Sequence, residues 1–180
     1  MTLIAKLLVI AMALPPPWQT GEPVDAYQAR VGVIVDAIGD TVAEYPKWQP
    51  AELAALLTVI SYGESKWDPV IHAGGVHKRY HQDFGKARCI GQIQPSGFVP
   101  TREWETLGGV DRAATVRCLT AMARVLSGFR RYCRYERGAM TRHRMAVIIG
   151  AYGTGRGCIA TPQSRKRAKK WAAMVRKLKL

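Results

Sequence analysis

An apolar helical run over residues 51–63 constrains this chain most, because Glu64 follows it directly. Pro50 precedes the run at the first position of a helix, where proline is favoured. A carboxyl group placed where an apolar helix opens into a cleft is poorly solvated, which raises its pKa. A carboxylic acid that stays protonated near neutral pH can donate a proton to a leaving group. A solvated surface charge is the common alternative for a glutamate at a helix end.

Helical patterns elsewhere predict a mainly α protein. Apolar residues recur at helical spacing in several segments, which cover residues 24–44, 111–136, 141–152 and 161–180. Pro46 ends the first of these segments, and Thr161 with Pro162 supplies an N-cap and a first position for the last. Residues 68–100 are rich in glycine, histidine and proline, and are predicted to be loops with a short hairpin.

Three short blocks then occur in a recognisable order. They are Glu64-Ser65 after the apolar helix, Cys89-Ile90-Gly91-Gln92-Ile93, and Ala151-Tyr152-Gly153-Thr154-Gly155. Together they resemble the lytic transglycosylase family, whose fold is similar to goose-type lysozyme, and the resemblance spans residues 51–158. It implies a mainly α, lysozyme-like helical domain in which a wall of loops or a small hairpin lines a groove.

The resemblance also implies a reaction on bacterial peptidoglycan. Glu64 would act as general acid and then as general base on the bond between N-acetylmuramic acid and N-acetylglucosamine. The substrate's own 6-hydroxyl group would attack the anomeric carbon, so no partner carboxylate, metal or cofactor is expected. The residues expected to contact the substrate are Ser65, Gln92, Ile93 and Tyr152.

Each assignment has a structural alternative. Ser65 is also typical of a turn or cap, Gln92 of a surface amide, and Tyr152 of a core tyrosine with a satisfied hydroxyl group. Asp68 precedes a proline and is predicted to be a turn residue. Asp83 could activate water, and the enzyme would then be a lysozyme-type glycoside hydrolase.

The chain departs from the family pattern at three places. Cys89 stands where the family usually has glycine, so the backbone must accept a Cβ there. Gly153 replaces the common asparagine. Residues 72–86 are longer and more polar than expected, which leaves the upper rim of the groove undefined. The histidines of this stretch, His72, His77 and His81, are not spaced as in a familiar metal site and are expected at the surface.

The formal net charge of +14 points to an anionic partner. Cell-wall polymers fit, whereas no zinc-finger spacing, RNA-recognition signature or convincing helix-turn-helix indicates specific nucleic-acid binding. Residues 161–180 combine many basic residues with an apolar helical stripe, which consists of Ala168, Trp171, Ala172, Val175 and Leu178. Such a helix either binds anionic lipid or wall polymer, or completes the core with its stripe.

The four cysteines are Cys89, Cys118, Cys133 and Cys158. None forms a Cys-x-x-Cys pair, which argues against a zinc site. Two disulfides are expected in an oxidising compartment, with three pairings allowed, and buried free thiols are the alternative. A bridge between Cys89 and Cys158 would staple two of the blocks that form the groove.

The predicted organisation is an apolar segment and proline-rich connector over residues 1–20, a catalytic domain over 21–160, and a basic helix over 161–180 packed on that domain. The first segment is weak as a signal peptide and is expected to form a short helix that packs on the domain, on a partner chain or on a membrane. Small size, high charge and the lack of a convincing signal favour a phage protein that is either a wall-piercing enzyme carried in the virion, with other virion proteins as partners, or a lysis enzyme. It would act in the virion or be delivered to the host periplasm. Export to a bacterial periplasm through an N-terminal signal is the alternative. The rival function is a non-catalytic virion structural or ejection protein of the same fold that binds glycan, DNA or membrane.

Overall fold

Helices dominate the architecture. A computed structural model describes residues 1–17, 21–75, 87–155 and 157–180. Within these ranges there are eight helices and two isolated β-bridges, and no β-strand is present, which confirms the mainly α prediction. The helices are α1 (Leu3–Met12), α2 (Val24–Glu44), α3 (Pro50–Ser65), α4 (Pro69–His72), α5 (Thr101–Trp104), α6 (Arg112–Tyr132), α7 (Arg142–Thr154) and α8 (Pro162–Lys179).

Helix α3 lies at the centre of the fold. It begins with Pro50, and alanine and leucine, which are strong helix formers, fill much of its first half. Every residue from Leu53 to Ser61 is buried, so neighbours must cover the helix on all sides. Those neighbours are α1, α2, α6 and α8. Glu64 therefore emerges from the interior at the end of the most buried helix.

The helix limits follow local signals, with two differences from the predictions. The helix predicted for residues 111–136 ends at Tyr132, because Arg134 adopts a left-handed φ of 59° that cannot continue it. The described part of residues 68–100 holds the short helix α4 and two isolated bridges in place of a hairpin. Pro95 and Pro100 flank the bridge between Ser96 and Val99 and cannot donate ladder hydrogen bonds, so that bridge does not extend into a strand.

The two terminal helices complete the core. Helix α1 packs on α2, α3 and α8, and buries Leu7 and Ala11. Helix α8 packs on α7 and α3 and buries its apolar stripe, including Trp171 and Leu178, so the stripe serves packing. The basic side chains of α8 are exposed, except that of Arg167, which is 13% exposed. No helix in the described ranges has the length and apolar character needed to cross a membrane.

Two disulfides tie the loops to α6. They join Cys89 to Cys118 and Cys133 to Cys158, which is one of the three pairings that the sequence left open and excludes a bridge between Cys89 and Cys158. Tertiary packing decides the outcome, since α6 presents Cys118 beside the Cys89 loop and ends one residue before Cys133, beside the segment that leads into α8. The bridge from Cys89 to Cys118 spans a sequence separation of 29 residues, and the bridge from Cys133 to Cys158 spans 25. Closing a loop of this length contributes about 3 kcal/mol to the free energy of unfolding.

His72 is buried, contrary to the expectation of a surface histidine. It ends α4, its side chain is inaccessible to solvent, and its Nε2 lies 2.7 Å from the hydroxyl oxygen of Thr115 in α6. Its Nδ1 has no hydrogen-bond partner among the described residues. Burial, followed by the positive charge of Arg30, lowers the pKa of His72 to about 4. The other histidines of the polar stretch, His77 and His81, lie outside the described residues.

Burial of neutral His72 predicts acid sensitivity. The unfolded chain binds a proton at His72 below its ordinary pKa of 6.5, whereas the folded protein does so only near pH 4. Stability is therefore present above pH 6.5 and is lost as the pH falls toward 4, by about 3 kcal/mol. Urea denaturation across this range should show that loss, and the His72→Gln variant should show less of it. His143→Gln, at an exposed position, is the control. Equal pH dependence in all three proteins would contradict the assignment.

Candidate active site

A groove with a volume of about 1030 Å³ opens where α3 ends. Its described walls come from the end of α3, the segment 87–98, α6, the end of α7 and the start of α8. Among the described lining residues, Glu64 carries the sole carboxyl group. The remaining lining includes both amides and aromatic rings, namely Gln92, Gln94, Gln163, Phe98 and Phe129. Such a surface can hold a proton donor against a chain of hydroxyl and amide groups.

The position of Glu64 depends on how α3 ends. Lys66 and Trp67 both adopt left-handed φ values, of 54° and 53°, which turn the chain away directly after the helix. The Trp67 side chain is fully buried, and its indole N–H donates to the Ser61 hydroxyl at 2.9 Å. Glu64 thereby stays in the last turn of α3, with its side chain 23% exposed toward the groove.

Ser65 belongs to this helix ending and does not line the groove. It is fully buried, its hydroxyl group donates to the Ser61 carbonyl at 2.8 Å, and the same oxygen accepts from the Trp67 amide at 3.0 Å. Both contacts are local, which matches the cap role that the sequence left open. Asp68 is likewise a cap, since its carboxylate accepts from the amides at the start of α4.

Arg167 is the site residue that the sequence analysis missed. Its guanidinium group donates a hydrogen bond to the Glu64 carboxylate, in an ion pair that links α8 to α3. The carboxyl group is therefore next to a fixed positive charge, which the apolar run before it did not predict. One signal was present in the sequence. Arg167 lies four residues before Trp171, so a cation shares the face of the apolar stripe.

The segment that carries Gln92 and Ile93 is a tight turn. Its backbone amides and carbonyls at Arg88 and Ile93 pair reciprocally at 3.0 Å, and Cys89 and Gln92 adopt left-handed φ values of 55° and 50°. The backbone thus accepts a Cβ at Cys89, where glycine would be less strained. The side-chain amide of Gln92 donates to the Cys89 carbonyl at 3.1 Å. Gln92 and buried Ile93 both line the groove.

Tyr152 connects the end of α7 to that turn. Its hydroxyl group donates to the Gly91 carbonyl at 2.5 Å, so no direct hydrogen bond from it to Glu64 is present. A Cβ on Gly91 would lie 3.3 Å from the Tyr152 oxygen and 3.1 Å from Met122 Sδ, so glycine permits this approach. Burial first, and then the negative charge of Glu64, raise the pKa of Tyr152, which places both groups in one electrostatic environment.

The structure therefore brings Glu64, Gln92, Ile93 and Tyr152 to one groove and leaves Ser65 behind it. Gly153 also lines the groove, and a side chain there would meet open space. Asp83, the candidate for activating water, lies outside the described residues. In the described ranges, no group of three or more histidine, cysteine or acidic residues is arranged to hold a metal ion.

The Tyr152 contact predicts a structural effect of the hydroxyl group. Tyr152→Phe leaves the buried Gly91 carbonyl without its donor, and we expect the free energy of unfolding to fall by about 1–3 kcal/mol. Urea denaturation measures this change. Tyr132→Phe, at a position that is 66% exposed, is the matched control. It should change the free energy of unfolding by less than about 0.5 kcal/mol. Equal stability of the Tyr152→Phe variant and the parent would show that the hydrogen bond contributes nothing.

Comparison with known proteins identifies no relative of this chain. No protein-family model, curated protein or solved structure matches the chain. What the groove can do follows from its described residues, in which one carboxyl group forms an ion pair with a guanidinium group beside amides and aromatic rings.

Proposed function

We propose that the protein is a peptidoglycan lytic transglycosylase with a lysozyme-like fold. The observation that carries the proposal is the meeting of three distant sequence blocks in one groove. Glu64, the turn with Gln92, and Tyr152 are separated along the chain, yet all line that groove. The order and content of the blocks resemble the transglycosylase pattern, and their convergence is what a shared site requires.

The chemistry needs one carboxyl group. Glu64, once protonated, donates its proton to the glycosidic oxygen as the bond to the anomeric carbon of N-acetylmuramic acid breaks. The 6-hydroxyl group of the same sugar attacks that carbon, and the Glu64 carboxylate takes the hydroxyl proton. The products are an N-acetylglucosamine end and a 1,6-anhydro sugar, with Glu64 protonated again. Glu64 as the sole carboxyl group among the described lining residues supports this route over one that needs two.

The rest of the groove suits a glycan. Gln92 and Gln94 can donate to and accept from hydroxyl and N-acetyl groups. Phe98 and Phe129 offer apolar faces, packed edge to face with their ring centres 5.4 Å apart.

The site of action that we propose is the bacterial periplasm, reached from a virion or by export. Two disulfides support an oxidising compartment. The net charge of +14 supports attraction to the anionic wall, and the exposed basic side chains of α8 are available for wall polymer or anionic lipid. Other virion proteins remain proposed partners, and no metal or cofactor is required by the mechanism.

A second candidate, a non-catalytic virion protein of the same fold, has one observation in its favour. The ion pair with Arg167 occupies the Glu64 carboxylate, as in a site that binds glycan without cleaving it. A binding protein of this kind would need the groove but not a proton donor. Activity of the Glu64→Gln variant separates the two candidates.

Glu64→Gln retains the shape of the side chain but cannot deliver a proton. We expect the clearance of purified peptidoglycan to slow by at least about a hundredfold, the scale of general acid catalysis. The Glu105→Gln variant removes an exposed carboxylate from the surface and should clear peptidoglycan at the parent rate. Parent-like activity in the Glu64→Gln variant would identify another catalyst, and inactivity of the parent protein would favour the binding candidate.

The route through the 6-hydroxyl group predicts the product. Mass spectrometry of the released fragments should find 1,6-anhydromuramyl ends, which are one water lighter than hydrolytic ends. Reducing ends alone would show that water is the nucleophile and the enzyme is a hydrolase. Asp83 would then be the first residue to substitute.

A further inference from the structure

We propose that the surface around the disulfide between Cys133 and Cys158 docks the protein on a bilayer that contains anionic phospholipid. This surface lies where α6 ends, where α7 begins and where the chain leads into α8. We call it the bridge surface, and it consists of six exposed residues, Arg131, Tyr132, Arg134, Arg137, Arg142 and Ile159. None of the six is among the described residues that line the groove, so the inference goes beyond the proposed function and does not depend on it.

Two large hydrophobic residues of the bridge surface are open to solvent. Tyr132 is 66% exposed and Ile159 is 70% exposed. Each is adjacent in sequence to one cysteine of the disulfide, whose Cα atoms are 5.7 Å apart. Because consecutive Cα atoms are about 3.8 Å apart, those of Tyr132 and Ile159 lie within about 13 Å of each other. The disulfide thus places two exposed apolar groups from distant parts of the sequence close together on the surface.

The exposure of Ile159 follows from the position of its backbone. A Cβ added at Gly150, which is buried in α7, would clash with the Ile159 carbonyl oxygen. The backbone of Ile159 therefore packs directly on α7, and the disulfide fixes the residue before it. Because the backbone is held on this side, the Ile159 side chain remains in solvent, and an apolar partner would remove it from water.

Internal hydrogen bonds hold the backbone that carries the arginines. The Arg130 guanidinium group donates to the Tyr135 carbonyl at 3.2 Å, and that of Arg144 donates to the Arg137 carbonyl at 2.9 Å. Together with the disulfide, these contacts give the connection between α6 and α7 a defined course. The exposed arginines are therefore presented by an ordered backbone, which reduces the entropy lost when they bind a partner.

Little negative charge balances these arginines. Arg131 pairs with Glu136 at 3.6 Å, and both side chains are exposed. No ion pair in the described ranges includes any of the other three arginines of the bridge surface. Glu136 is also the sole acidic residue from position 112 to position 180. Exposed guanidinium groups attract phosphate, which each can bind through two hydrogen bonds.

The combination of charge and apolar groups favours a bilayer over other polyanions. Phosphate groups of lipids, nucleic acids and wall polymers can all bind the arginines. A nucleic acid or a wall polymer offers Ile159 no acyl chains, so its side chain stays in water, whereas the interface of a bilayer covers it. Tyrosine is favoured at that interface, because its ring is apolar and its hydroxyl group stays hydrated. Arginines beside such anchors extend their side chains to the lipid phosphates.

Sedimentation with lipid vesicles measures the contribution of the arginines. Vesicles that mix phosphatidylglycerol with phosphatidylcholine should bind the parent protein, and vesicles of phosphatidylcholine alone should not. Each basic residue near an anionic bilayer strengthens binding about fivefold, so the triple variant Arg134→Gln, Arg137→Gln and Arg142→Gln should bind about a hundredfold more weakly. Lysine at the same three positions keeps the charge and should retain most of the binding. A parent protein that does not bind the anionic vesicles, or binds neutral vesicles equally well, overturns the proposal.

A second triple variant controls for the high charge of the whole chain. Lys169→Gln, Arg176→Gln and Lys177→Gln remove the same charge from exposed positions of α8. Charges more than about 10 Å from the lipid phosphates are largely screened, so this variant should bind within about threefold of the parent. An equal loss in the two triple variants overturns the bridge surface, since it shows attraction by basic side chains in general.

The two hydrophobic side chains distinguish lipid from other polyanions. Tyr132→Ser combined with Ile159→Ser should weaken binding to the anionic vesicles at least about tenfold, because the interface then covers no large apolar group. Val9→Ser combined with Val24→Ser, at positions that are 63% and 64% exposed, is the matched control and should leave vesicle binding at the parent level. Equal vesicle binding by the parent and the variant of Tyr132 and Ile159 contradicts the proposal.

A short DNA duplex tests the alternative partner. At equal phosphate concentration the parent should bind the duplex more weakly than the anionic vesicles, and tighter binding to the duplex overturns the lipid proposal in favour of nucleic acid. Urea denaturation and any cleavage of soluble glycan fragments should be the same in all variants, because every substituted side chain is exposed and outside the described groove lining. The vesicle results hold whether or not the parent cleaves peptidoglycan, so the two proposals fail separately.

Discussion

Burial of Trp67 is the interaction on which the position of the acid depends. Two successive left-handed residues, Lys66 and Trp67, cost roughly 1–2 kcal/mol each. Removing an indole ring from water contributes about 5 kcal/mol, so the anchor outweighs the strain. Hydrogen bonds to Ser61 and Ser65 fix the ring and its amide, and Arg30 donates to its carbonyl. Helix α3 consequently stops one residue after Glu64, with the carboxyl group aimed at the groove.

A second strained turn carries Gln92 and Ile93 into the groove. Cys89 and Gln92 adopt the conformation that glycine would favour, and the disulfide to Cys118 holds that turn against α6. On its other side, Tyr152 binds the Gly91 carbonyl. The groove is thus bounded by short irregular segments, and each is held by one covalent or buried contact to a long helix. Local strain of this kind is stable only where the surrounding structure over-determines it.

Much of the helical framework could be predicted from local rules. Proline at the start of α3 and the Thr161 cap of α8 act through their own backbone neighbours, so their effects are visible in the sequence. The convergence of Glu64, Gln92 and Tyr152 in one groove was likewise expected. Contacts set by the packing of distant elements were not predictable. Cysteine pairing depends on which residues α6 presents to which loop. Similarly, the direction of the Ser65 side chain depends on its contacts with Ser61 and Trp67. The environment of Glu64 depends on Arg167, which lies in another helix.

The sequence separation of 103 residues between Glu64 and Arg167 has a consequence for the order of folding. Helix α3 can form early, from its own residues, but the apolar faces that α8 covers stay open until α8 has been synthesised and has docked. The entropy of closing so long a loop must be lost before the contact forms, so we expect this contact to form late in folding. Glu64 is therefore in place on α3 before Arg167 can pair with it. A newly made chain passes through a stage in which Glu64 has no counter-charge from α8, and the docking of one helix ends that stage.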